Sequence, residues 1–136
     1  VRLLLRVSAS RAVELLALPG LSLQIAGQAL QLGAAHLRGL QPHATLYAYR
    51  VAADSADEVA FMASVGAELA ELGIGGLPVC GMHRHLQVAA RLQDTFSLML
   101  HQLTPAQSML LQQRGLGPQR LLGCGLFVPH KSTAAV

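Results

Sequence analysis

The chain has no tryptophan, and aromatic residues fill only 4% of its 136 positions. It therefore lacks the aromatic platform on which sequence-reading modules stack the bases of single-stranded RNA. Its two cysteines, Cys80 and Cys124, lie far apart and without metal-site spacing, which argues against a disulfide framework or a cysteine-based zinc module. No secretory signal segment precedes them, and the expected setting is the reduced cytoplasm. No apolar run attains the roughly 18 to 20 residues that span a bilayer, so no membrane partner is expected. Nothing in the sequence calls for a cofactor or a metal. Val1 opens directly on an alternating pattern without an initiator methionine, and the chain is expected to be incomplete at its start.

What is present is apolar. Hydrophobic residues make up 52% and charged residues 12%, a balance suited to a large shared core or to surfaces covered by a partner. Ten Lys and Arg against seven Asp and Glu give a net charge of +3. All the basic residues but Lys131 are arginine, the side chain best shaped for bidentate phosphate contacts, which raises the case for a polyanionic partner.

Along the chain, VRLLLRV alternates Arg2, Leu4 and Arg6 with Val1, Leu3, Leu5 and Val7, predicting a strand. Ser10 then caps a short helix to Leu18, stopped by Pro19-Gly20. LSLQI and QALQL predict a hairpin turning at Ala26-Gly27. Residues 35–44, with His36, Arg38, His43 and Pro42, read as a connector.

A second unit starts with the β-forming run TLYAYRV at 45–51. Ser55 and Glu58 match a capping box ahead of an apolar helical stripe at Val59, Met62, Val65, Leu69 and Leu72, with Gly73 as the stop. Residues 82–92 alternate as a strand, Gln93-Asp94 is the expected turn, and TFSLMLHQL returns with Phe96, Leu98 and Leu100 inward and Ser97, Met99 and His101 outward. Thr104, Pro105 and Gln107 form a second capping box, for a helix ending at Arg114-Gly115. LLGCGLFV is the expected closing strand.

The order strand, helix, strand, strand, helix, strand is that of a ferredoxin-like unit. The expected fold is α+β: a ferredoxin-like tandem, its first unit truncated to a second half at residues 1–43 and its second complete at 44–136.

GLGPQRLLGCG, residues 115–125, repeats Gly-hydrophobic-Gly across five residues. The first pair lets the chain leave a helix through left-handed backbone, and the second lets another backbone approach closely. Gln119 and Arg120 sit between them, on a loop whose amides can point at phosphate oxygens. The same glycines also suit a helix stop and a bulge that bind nothing. His83, Arg84 and His85 open a strand as a basic cluster, fit either for RNA contact or for a solvated face. Tyr47 and Tyr49 share a strand face, to stack on a base or to pack in the sheet. Arg2 and Arg6 fit a solvent face, and His130 with Lys131 fits either phosphate contact or a solvated tail.

The run LTPAQSMLLQQRGLGPQRLLGCGLFVPHK, residues 103–131, closely resembles the C-terminal signature of the CRISPR repeat-processing endoribonucleases of the RAMP superfamily, whose hallmark is this glycine-rich loop. RVSASRAVELLALPGLSLQIAGQALQLG, PHATLYAYRV and GMHRHLQVAARL extend the resemblance over nearly the whole chain. It implies two ferredoxin-like units, a CRISPR repeat hairpin (precursor CRISPR RNA) as substrate, effector-complex subunits as partners, and metal-independent cleavage by a ribose 2′-OH that leaves a 2′,3′-cyclic phosphate.

The family's base is most often a histidine near the first helix of the N-terminal unit, and no histidine here matches that position, so no catalytic residue is assigned. The residues expected to contact RNA are His83, Arg84, His85, Arg91, Arg114, Gly117, Gln119 and Arg120. Two alternatives remain: a non-catalytic RNA-binding subunit of the same superfamily, and an unrelated ferredoxin-like module that oligomerises or binds a small molecule.

Overall fold

The computed structural model describes residues 2–130. The chain divides into two compact units, residues 1–39 and 40–136.

The smaller unit holds a nine-residue 3-10 helix, Ala9–Ala17, and a hairpin of β1, Ser22–Ile25, and β2, Gln28–Gln31. The hairpin turns at Ala26-Gly27, both with positive φ, and pairs Ser22 with Gln31 through Ile25 with Gln28. The helix differs from the expectation: Ser8, not Ser10, precedes it and makes no capping bond. Residues 2–7 form no strand despite their alternation, because no strand among the described residues pairs with them. Val1 lies outside the described residues, as does Lys131.

The larger unit begins with β3, Leu46–Ala53, followed by α1, Glu58–Glu71. Asp57, not Ser55, caps this helix, its carboxylate accepting from the amides of Val59 (2.9 Å) and Ala60 (3.2 Å). Ser55 instead accepts from the Asp57 amide. This cap sets the helical phase so that Phe61, Val65 and Leu69 are buried, with Met62 and Leu72 packed beside them. Val59, expected on the apolar stripe, is 80% exposed.

β4, Leu77–Val88, and β5, Arg91–His101, form a long hairpin. Its turn is Ala89-Ala90 rather than Gln93-Asp94, with Ala89 in left-handed backbone; Gln93 and Asp94 lie within β5, opposite Leu86 and His85. α2, Pro105–Arg114, starts from the expected Thr104 and Gln107 capping box, reciprocal in its bonds. The expected closing strand is mostly loop: residues 120–122 make a 3-10 turn, and only β6, Val128–Pro129, pairs with β3.

The sheet is antiparallel in the order β4-β5-β3-β6, so the first and third strands of the unit lie in the middle, as a ferredoxin-like βαββαβ unit requires. Leu46, Ala48, Val51, Phe96, Leu98 and Leu100 from the central strands meet Phe61, Val65, Leu69, Leu111 and Phe127 in one core. Phe61 stacks on Phe96 with ring centroids 4.7 Å apart. Ser97 and Met99, expected to face outward, are buried as well, because β5 is a central strand.

Candidate nucleic-acid interface

A bulge in β3 separates the pairs Ala48–Leu98 and Val51–Phe96, so Tyr49 and Arg50 occupy the space of one residue. There the strand leaves its outer edge open to the glycine loop. The Gly125 amide donates to the Arg50 carbonyl at 2.7 Å, and the Leu116 amide donates to the Gly125 carbonyl at 3.3 Å. The loop thus runs beside β3 where β6 would otherwise continue.

Gly115 and Gly125 explain why the pattern needs glycine. Both have positive φ, and a Cβ on Gly115 would meet the Gly125 carbonyl oxygen at 2.5 Å. A Cβ on Gly125 would collide with the Leu116 carbonyl. The two pairs are therefore the two sides of one backbone crossing.

A carboxylate fastens this loop to α1. Glu68 accepts from the Gly117 amide through both oxygens, at 3.2 and 2.9 Å, and meets Arg120 Nη2 at 3.4 Å. Arg120 Nε donates to the Gly117 carbonyl at 3.0 Å, and its Nη1 donates to the Arg114 carbonyl. Arg120, expected to contact RNA, also closes the loop with its guanidinium. Three of its five N–H donors are directed inward and two remain for a ligand. Gln119, between the glycine pairs, adopts left-handed backbone at φ 62°. A hollow beside the loop is lined by Val51, Asp54, Ser64, Glu68, Gly117 and Pro118.

The basic cluster on β4 divides between the two faces of the sheet. His83 pairs with Phe96 and packs its ring against it at 5.0 Å, which puts His83 and His85 on the face that carries the helices. Arg84 pairs with Thr95 on the opposite face, stacks on the Tyr49 ring at 4.1 Å and donates to the Tyr49 carbonyl at 3.3 Å. Strand alternation forces this separation. A single nucleic-acid strand running along β4 would not meet all three side chains on one face.

His83, Phe96, Val51 and Gly117 lie in one row across the sheet, given the pairings His83–Phe96 and Val51–Phe96 and the approach of Gly117 to Val51. The histidines and the glycine loop are therefore level with one another, on either side of two central strands that span roughly 10 Å. Arg91, the first residue of β5, lines a second hollow with Asp54 and Asp94. Arg114 is exposed at the end of α2.

Several other groups from the sequence reading are now placed. Tyr47 packs against the His130 ring, centroids 5.4 Å apart, so it serves the sheet, whereas Tyr49 is 54% exposed. His36 and His43 fall in the connector as expected.

Three residues escaped the sequence reading. Glu68 lies within the expected helix, and no local pattern signals a partner far along the chain. Arg50 lies with its guanidinium over Tyr49 at 5.3 Å, and its buried Nε has no hydrogen-bond partner among the described residues. Asp94 Oδ1 lies 2.7 Å from His83 Nε2 and 3.3 Å from His85 Nδ1, and the donor atoms of the three side chains all lie within 4.8 Å of one another. Its signal was His-x-His followed nine residues later by Asp, once the turn is placed at Ala89-Ala90.

A ferredoxin-like unit with a glycine-rich loop before its final strand agrees with the resemblance to RAMP-type CRISPR proteins noted in the sequence. Residues 1–132 match the Cas6 CRISPR family, and the chain belongs to that family. It is also 36% identical over 133 residues to the CRISPR-associated endonuclease Cas6 of Myxococcus xanthus (strain DK1622), an alignment covering 97% of this chain. The chain spans 58% of that relative's length.

Proposed function

We propose that the protein processes CRISPR RNA: it binds the stem-loop of the precursor repeat and cuts it as an endoribonuclease. The observation that carries this reading is the glycine loop, a backbone that crosses itself at Gly115 and Gly125 and carries Arg114 and Arg120, in a chain of the Cas6 family. The relative from M. xanthus, named an endonuclease, supports the activity.

In this reading the loop grips the RNA backbone. Arg114 and the two outward donors of Arg120 meet phosphates, Gln119 offers an amide side chain at the tip, and Gly117 lets the strand come close. His83, His85 and Arg91 add contacts on the helical face at the far side of the central strands, while Arg84 serves the opposite face. An A-form stem is read by shape and by its phosphates and 2′-hydroxyls, which suits a site rich in arginine and poor in aromatics.

Cleavage proceeds without a metal. A base removes the proton of a ribose 2′-OH, the oxygen attacks the adjacent phosphorus, and an acid protonates the departing 5′-oxygen. The products are a 2′,3′-cyclic phosphate and a 5′-hydroxyl, and cationic side chains stabilise the charge of the phosphorane-like state. The titratable group at the loop, Glu68, is engaged with Gly117 and Arg120, which favours a binding role for this end. We place the base in a part of the whole protein beyond these residues.

The same reading takes residues 1–43 as the second half of a preceding ferredoxin-like unit and residues 44–136 as the complete one. The enzyme acts in the cytoplasm and stays on the mature guide RNA among effector-complex subunits. The test is incubation of the whole protein with labelled repeat RNA in EDTA, beside RNA carrying a 2′-deoxy nucleotide at the cut site. Cleavage of the first alone supports the reading; tight binding with no cleavage of either replaces it with a non-catalytic RNA-binding subunit.

A further inference from the structure

The β4–β5 hairpin brings two imidazoles and a carboxylate to one point. His83 and His85 are two residues apart on β4 and so project from the same face, and His85 pairs directly with Asp94 of β5. Their donor atoms all lie within 4.8 Å of one another, with Asp94 Oδ1 at 2.7 Å from His83 Nε2 and 3.3 Å from His85 Nδ1. Zinc bound at about 2.0–2.2 Å by such ligands in a tetrahedron holds neighbouring donors about 3.3 Å apart. The His85–Asp94 spacing matches that value, and the His83–Asp94 spacing is shorter.

The ligands are held before any ion arrives. Their backbones are fixed by the strand ladder, the His83 ring packs against Phe96 at 5.0 Å, and the edge of one imidazole meets the face of the other at 4.8 Å. The alternative without an ion is a single hydrogen bond between His83 Nε2 and Asp94 Oδ1, with His85 Nδ1 beside it at 3.3 Å. A metal ion satisfies the same three atoms through their lone pairs.

We infer that His83, His85 and Asp94 form a binding site for a divalent transition-metal ion, Zn²⁺ by its chemistry. Two imidazoles with one carboxylate suit zinc, cobalt or nickel, whereas magnesium and calcium take oxygen ligands. Three protein ligands leave a fourth position open to the solvent that reaches His85, whose side chain is 53% exposed. That position takes water or an anionic oxygen. The inference rests on the ligand geometry alone, and it assigns His83 and His85 to the ion in place of the RNA contacts proposed for them above. The ion would tie β4 to β5, and no step of the cleavage passes through it.

The experiment is titration of tag-free protein with Zn²⁺ by calorimetry and with Co²⁺ by visible absorption. One equivalent of Zn²⁺ is expected to bind with micromolar affinity. Asp94→Asn and His85→Gln should weaken binding at least tenfold, while His101→Gln, outside the cluster, should leave it unchanged. The unaltered protein supplies a readout independent of any variant: Zn²⁺ should protect His83 and His85, but not His36, from diethyl pyrocarbonate. No saturable binding, or binding that Asp94→Asn leaves intact, or equal modification of His83 and His85 with and without zinc, would overturn the inference.

Discussion

The Glu68 carboxylate accepts the Gly117 amide through both of its oxygens, at 3.2 and 2.9 Å, and so ties the glycine loop to the last turn of α1. This charge-assisted contact joins residues 49 positions apart and fixes the loop against the helix. Glu68→Gln keeps the shape but removes the charge and one acceptor oxygen. A loss of about 1–2 kcal/mol is expected, with faster exchange of the Gly117 amide in hydrogen-exchange measurements. Unchanged exchange at Gly117 would show that the loop closes without the carboxylate.

Gly125→Ala attacks the crossing itself. Its Cβ would strike the Leu116 carbonyl at a position whose φ is already 68°. The loop must open, and repeat-RNA affinity should fall more than tenfold while circular dichroism retains the sheet and both helices. Wild-type affinity in this variant would separate the crossing from RNA binding.

Three donors of Arg120 close the loop, and the proposed RNA contact falls to the remaining two. Arg120→Ala should weaken RNA binding and lower the slope of log affinity against log salt by about one. An unchanged slope with weaker binding would leave Arg120 only its loop-closing role.

The thiol of Cys80 is pushed up to about 11, chiefly by burial and then by the nearby Glu58 carboxylate, and burial also raises Cys124. A thiol whose folded pKa lies above its unfolded value contributes stability at neutral pH, and that contribution fades as pH climbs from about 9 through about 11. Iodoacetamide at pH 8 should alkylate Cys80 at least ~10-fold more slowly in the folded protein than in the denatured chain, because the thiolate is the nucleophile. Equal rates would contradict this placement.

Much of the larger unit was legible in its residues. Thr104 and Gln107 announced their capping box, Phe96, Leu98 and Leu100 their inward face, and the second glycine pair a close backbone approach. The hairpin turn was not, because Ala89 adopts left-handed backbone where local propensity favours Gln93-Asp94. That displacement hid Asp94 from the histidines. The strand expected over 121–128 has suitable residues, but the β3 edge there is taken by Gly125 bonded to Arg50, so only Val128–Pro129 pairs. Glu68 and Arg50 act through partners far away in the chain, which no local pattern encodes.

The central claim, that the glycine-loop end binds a CRISPR repeat hairpin, is tested most directly by fluorescence anisotropy. Labelled repeat hairpin would be compared with an unpaired strand of scrambled sequence at several salt concentrations, using wild-type protein and Gly125→Ala. The account predicts at least tenfold preference for the hairpin, lost in the variant. Equal affinity for both RNAs in the wild type would contradict it.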